Sequence, residues 1–135
     1  MRTVEVSRFV AAPPAAVGNA VTAESLVAFE GTFSVRDVEE REGEWLVAAS
    51  ARGLDASFRV TETDAGWRVE QAGGAGPFET LTTEVSWRAE NEGARVTATS
   101  TVSLGLPIAA VTDRIAAWKR RGELERFLDA LADAV

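Results

Sequence analysis

The 135-residue chain carries 14 basic and 21 acidic residues, a net charge of −7, and neither cysteine nor histidine. Disulfides, thiolate or imidazole metal sites, cysteine nucleophiles and any histidine-based triad are thereby excluded, and the negative charge opposes nucleic-acid phosphates. A chain of this length buries roughly two-thirds of its unfolded surface, so residues 1–135 are expected to form one domain.

The opening MRTVEVSRFV (1–10) alternates in polarity without a continuous apolar segment, which reads as a strand (3–11) rather than a secretion signal. No apolar run reaches the roughly 18 residues of a membrane helix. The expectation is a cytoplasmic chain with no stable membrane insertion. Pro13 and Pro14 stop the strand, and Pro14 suits the first turn of a helix, where its missing N–H costs nothing. Short helices follow over 15–21 and 24–29, the second capped by Thr22. From Gly31 the period changes to two, predicting strands at 32–40, 44–52, 55–63, 67–72, 78–90 and 94–104. Their connections, REGE, RGLD, DAG, GGAGP and ENEG, each hold a glycine, and most are short enough for direct hairpins. Pro107 opens a helix running to the C-terminus.

In ARVTATSTVSLG (94–105), Val96, Ala98, Ser100, Val102 and Leu104 share one face. Leu81, Val85 and Trp87 point the same way with Glu79 and Thr83, as do Phe58, Val60, Trp67, Val69 and Gln71. An antiparallel sheet with one wet and one covered side results, and the last helix must be the cover. Arg59, Arg68, Glu70, Glu84 and Arg88 read as cross-strand pairs on the wet side. A meander puts REGE, DAG and ENEG at one end, where Trp45, Trp67 and Trp87 form a packed plug. The glycine-rich end with GGAGP and LGLP is the open one; GGAGP lacks the lysine and following helix of a phosphate cradle. On the last helix, Ile108, Val111, Ile115 and Trp118 make one apolar stripe, and Leu124, Phe127, Leu128, Leu131 and Val135 another, offset by nearly half a turn. A kink or change of packing face is expected near Arg121-Gly122. WKRR (118–121) reads as a solvated basic face.

The order strand, Ala-Pro-Pro break, two short helices, six-strand meander and long last helix resembles the START/polyketide-cyclase/birch-pollen-allergen (SRPBCC) superfamily over nearly the whole chain. VSRFVAAPPAAVGNAVT (6–22) is similar to its strand–APxxxV–helix opening, with Ala12, Pro13 and Val17 in place. Gly18 departs from it, standing where relatives carry a bulky aromatic. The resemblance implies an α+β helix-grip fold, a curved antiparallel sheet of about seven strands wrapped on the C-terminal helix. It also implies a cavity between that helix and the sheet for a small apolar or amphipathic molecule. Phe58, Leu81, Val102, Val111, Ile115 and Trp118 would then supply the apolar lining. Gln71, Thr83 and Ser100 would be its polar groups.

Three functions follow. The first is a non-enzymatic carrier for a small hydrophobic molecule, needing no cofactor. The second is a cyclase- or isomerase-like enzyme, with Glu79 as a desolvated acid/base and Gln71 and Ser100 orienting a carbonyl. The third is a protein-interaction module of the chaperone-activator kind, with a filled core. The carrier is preferred, because a lone carboxyl is a weak catalytic constellation.

Overall fold

The computed structural model describes residues 2–74, 80–103 and 109–135. Strand β1 (Arg2–Val10) leads into helices α1 (Pro14–Ala20) and α2 (Ala23–Ala28). Strands β2 (Ser34–Arg41), β3 (Glu44–Ala51), β4 (Leu54–Glu62), β5 (Gly66–Gly74), β6 (Thr80–Glu90) and β7 (Gly93–Ser103) precede helix α3 (Ala109–Ala134). Each expected element is present, with ends shifted by a few residues.

The prolines act as anticipated. Pro13 is extended (φ −65°, ψ 154°) and Pro14 occupies the first turn of α1. At α2, the Thr22 hydroxyl accepts from the Ser25 amide at 3.1 Å and the Ser25 hydroxyl accepts from the Thr22 amide at 2.8 Å. This reciprocal cap satisfies two otherwise orphaned donors.

The seven strands form one sheet in the order β1-β7-β6-β5-β4-β3-β2, and every neighbouring pair is antiparallel. Tight hairpins follow from positive φ at Glu42 (49°) and Gly43 (84°), and at Arg52 (50°) and Gly53 (80°), a geometry whose twist matches that of the strands. The β6–β7 turn instead places Asn91 (φ 44°) and Glu92 (φ 66°) in the left-handed region. The glycine of ENEG serves a different purpose: a Cβ on Gly93 would lie 2.4 Å from the Val10 carbonyl oxygen and 2.7 Å from the Phe9 ring. Gly93→Ala should therefore pry β1 from β7 and lower the urea midpoint well beyond an ordinary strand Gly→Ala change. An unchanged midpoint would show that β1 yields freely.

The alternation holds along the inner face. Val96, Ala98, Ser100 and Val102 are all fully buried, as are Val47 and Val60. On the outer face Arg68 pairs across the strands with Glu84 (3.8 Å), as expected, but also with Glu70 on its own strand (2.9 Å), while Arg59 pairs with Glu44 (3.5 Å) and Arg88 with Glu90 on its own strand (3.9 Å); exposed pairs of this kind contribute little. At the tight-turn end, the Trp45 and Trp67 rings meet edge-on with centroids 5.1 Å apart. Trp87 lies over α1: a Cβ on Gly18 would touch its ring at 3.5 Å. The bulk missing from position 18 is thus supplied by the sheet.

Helix α3 corrects the two-stripe expectation. It is one uninterrupted helix through Gly122. Among its described side chains, from residue 114 onward, the buried ones are Ala116, Arg120, Glu123, Leu124, Phe127, Leu128 and Leu131, a single face at helical spacing. Ile115 (62% exposed) and Trp118 (78% exposed) point away from the core. Counting only apolar residues hid the continuity, because Arg120 and Glu123 occupy the middle of the buried stripe.

Candidate functional site

The direction of α3 places its contacts. Arg121 donates to the Glu5 carbonyl at 3.5 Å, while further along Asp129 pairs with Arg8. Glu5 lies opposite Thr99 and Arg8 opposite Val96. The helix therefore descends toward the β6–β7 turn, and residues before Arg120 lie toward the other end of the sheet.

At the level of Ser100, a guanidinium is enclosed between helix and sheet. The Arg120 side chain is 3% exposed and that of Glu123 is 4% exposed. Arg120 Nε donates to Ser100 Oγ at 3.0 Å and Nη2 to Thr83 Oγ1 at 2.7 Å. Its Nη1 donates to Glu30 Oε2 at 2.6 Å and to Glu123 Oε1 at 3.4 Å. Thr83 and Ser100, register partners on β6 and β7, share a hydrogen bond of 2.9 Å between their hydroxyls. Thr32, in the connection from α2 to β2, donates to Glu123 Oε2. One helix, two strands and the α2–β2 connection thus converge on a buried cation, and no buried side-chain polar atom among the described residues lacks a partner.

Burial alone would lower the Arg120 pKa. The charges and hydrogen bonds of Glu30 and Glu123 outweigh it and hold the guanidinium above its ordinary value. The cluster gathers one guanidinium and two carboxyl groups into a charge-assisted hydrogen-bond array.

The expected site residues separate into groups. Phe58, Leu81, Thr83, Ser100 and Val102 are buried on the inner face, and Gln71 is half-buried on β5 opposite Phe58. Thr83 and Ser100 meet Arg120 directly. Ile115 and Trp118 are not brought to this face; they stand on the solvent side of α3. Glu79, Leu104, Ile108, the Val111 side chain and most of GGAGP and LGLP lie outside the described residues.

WKRR is divided: Trp118, Lys119 and Arg121 are exposed, whereas Arg120 is the centre of the cluster. Sequence reasoning missed Arg120, Glu123, Glu30 and Thr32. The available signal was spacing, since positions 116, 120, 123, 124, 127 and 131 fall on one helical face.

The hub also divides the interior by size. Toward the β6–β7 turn, α3 contributes Leu124, Phe127, Leu128 and Leu131, and Phe127 meets Phe29 with ring centroids 6.3 Å apart. On the other side of the hub, Ala116 is the buried one among the described side chains of α3 (from residue 114 onward), while the sheet presents Phe58, Leu81 and Val102. Phe33 packs edge-on to Phe58 there, with centroids at 5.5 Å.

Among the described residues no group of His, Cys, Asp and Glu is arranged to hold a metal ion, and no helix is long and apolar enough to cross a membrane.

No family model matches the sequence, and no curated protein matches it. Solved structures do. A protein from Thermus thermophilus, TTHA0849, superposes with a TM-score of 0.77 at 22% identity, over 98% of this chain and 96% of that one. A START superfamily protein from Mycobacterium smegmatis gives 0.72 at 13% identity, over 97% and 94% of the two chains. The di-domain ARO/CYC BexL of the BE-7585A biosynthetic pathway gives 0.73 at 15% identity, with 98% of this chain covering 49% of BexL. The chain therefore has the helix-grip fold that its resemblance to the START/polyketide-cyclase/birch-pollen-allergen superfamily implied.

Proposed function

We propose that this chain is a cytoplasmic binding and carrier module for a small apolar or amphipathic molecule, seated between α3 and the sheet on the open side of Arg120. The observation that carries the proposal is the asymmetry across the hub. Among the described side chains, large residues of α3 fill the interior below it, whereas above it the buried helix residue is Ala116, on the side where the sheet's inner face is apolar. Apolar area removed from water supplies about 25 cal/mol per Å², enough for a modest ligand to hold without specific chemistry. The kinship in fold with a START superfamily protein and an ARO/CYC protein supports the reading.

The hub would form the floor of such a site and orient a ligand's polar end. Ser100 and Thr83 are already bonded to Arg120 and to each other, which favours holding over turnover.

An apolar fluorescent probe should saturate the native protein near one equivalent. Ala116→Trp, which adds an indole to the buried face of α3 before Arg120, should weaken that binding at least about tenfold while thermal unfolding stays cooperative. Ile115→Trp, on the solvent side, should leave it unchanged. Absence of saturable binding, or equal binding by the Ala116→Trp protein, would overturn the carrier reading.

A further inference from the structure

The outer side of α3 carries an apolar and basic surface that the interior site does not use. Trp118 and Ile115 are the most exposed large apolar side chains in the described structure, at 78% and 62%. At 100° per residue they stand about 60° apart on the helix, with Arg114 and Arg121 on one side and Lys119 and Arg126 on the other. All four cations are exposed, although Arg121 also donates to the Glu5 carbonyl at 3.5 Å and Arg126 to the Glu30 carbonyl at 2.9 Å. In a chain of net charge −7 this concentration is unusual, and it includes the sole lysine. Trp118, Lys119, Arg121, Gly122, Glu125 and Arg126 line a shallow cleft of about 390 Å³. Of the acidic residues on this outer side, Glu125 lines the cleft itself, whereas Asp129 and Asp133 lie further toward the C-terminal end and Asp129 is paired with Arg8.

We infer that the outer face of α3 around Trp118 docks on an anionic lipid surface. A tryptophan and an isoleucine set between arginines and a lysine match the two parts of such a surface. The apolar pair enters the headgroup boundary, where indole is favoured, and the flanking cations meet lipid phosphates. Each cation near an anionic leaflet contributes only modestly, so charge and apolar contact must act together to outweigh the repulsion of an acidic chain. Contact is peripheral, with the helix lying in the surface plane. This surface is separate from the interior site, on the opposite side of the same helix.

Cosedimentation of the whole chain with vesicles tests it. Vesicles of phosphatidylcholine mixed with phosphatidylglycerol should carry the protein down, and pure phosphatidylcholine should carry far less. Binding should fall as salt shortens the screening length. Lys119→Glu with Arg121→Glu should weaken binding at least about tenfold, and Trp118→Ser with Ile115→Ser by a similar factor. Both variants should keep the native circular dichroism and unfolding midpoint, because the altered side chains are exposed. They should also keep probe uptake, so failure of the interior reading and failure of this one are separable.

Four results would overturn the inference: no binding to either vesicle, equal binding to both, full binding by either variant, or tighter binding to a polyanion such as nucleic acid than to vesicles. A dimer in sedimentation velocity that Trp118→Ser dissolves would also overturn it, since a second copy would then cover this face.

Discussion

Replacing Arg120 with alanine should cost about 3–5 kcal/mol, a large fraction of the 5–15 kcal/mol that holds a domain of this size together. The loss comes less from the missing hydrogen bonds than from what is left behind. Glu123, with a side chain 4% exposed, and Glu30, 14% exposed, would face each other without their cation. Thr83 and Ser100 would still satisfy one another at 2.9 Å. Urea unfolding should show the midpoint falling at nearly constant slope. A loss below about 1 kcal/mol would mean that water or the carboxylates reorganise easily and that the hub is not a fixed element.

The companion experiment removes the whole charge set: Arg120→Met with Glu30→Gln and Glu123→Leu should regain most of the loss, because well-packed apolar replacements of buried ion networks are often neutral or stabilising. The guanidinium is held above its ordinary pKa. Its contribution is therefore fully present below the unfolded-state value and lost only as pH rises through the higher folded one. Across the neutral range the cost of Arg120→Ala attributable to this titration should not change.

Phe127→Ala should be comparably damaging, at about 3–5 kcal/mol. Phe127 is 2% exposed and meets the Phe29 ring, so it ties α3 to the end of α2. Truncation leaves a void where α3, α2 and the sheet converge, and relaxation is limited because Leu124, Leu128 and Leu131 are already fully packed around the same face. Trp118→Ala removes a larger ring from the same helix yet should cost only about a few tenths of a kcal/mol, because that ring is 78% exposed. Equal losses for the two substitutions would contradict the assignment of faces on α3.

How much of the site was legible depends on what each residue type reveals by itself. Thr83 and Ser100 were placed on the covered face by period alone, because a strand turns alternate side chains to opposite sides whatever their chemistry. Arg120 was invisible to the same logic. An arginine between Lys119 and Arg121 looks like part of a wet basic face, and the partners that make its burial tolerable are far away in the chain, at Glu30, Thr83 and Ser100. Trp118 and Ile115 failed in the opposite sense, since apolar character on a helix suggests burial but does not require it.

From sequence alone came the element order, the proline break after β1, the Thr22 cap, the hairpin positions and the alternation that marks the inner face of the sheet. These depend on local conformational limits and on the two-residue period, which act within a few residues of each position. Only the tertiary structure decided which face of α3 is buried, that Trp87 supplies the bulk absent at Gly18, and that one cation gathers a helix, two strands and a connection into a hub. Those outcomes depend on how the whole curved sheet meets one helix. There, a buried charge is allowed when distant carboxylates and hydroxyls arrive within hydrogen-bonding range of it, and excluded when they do not.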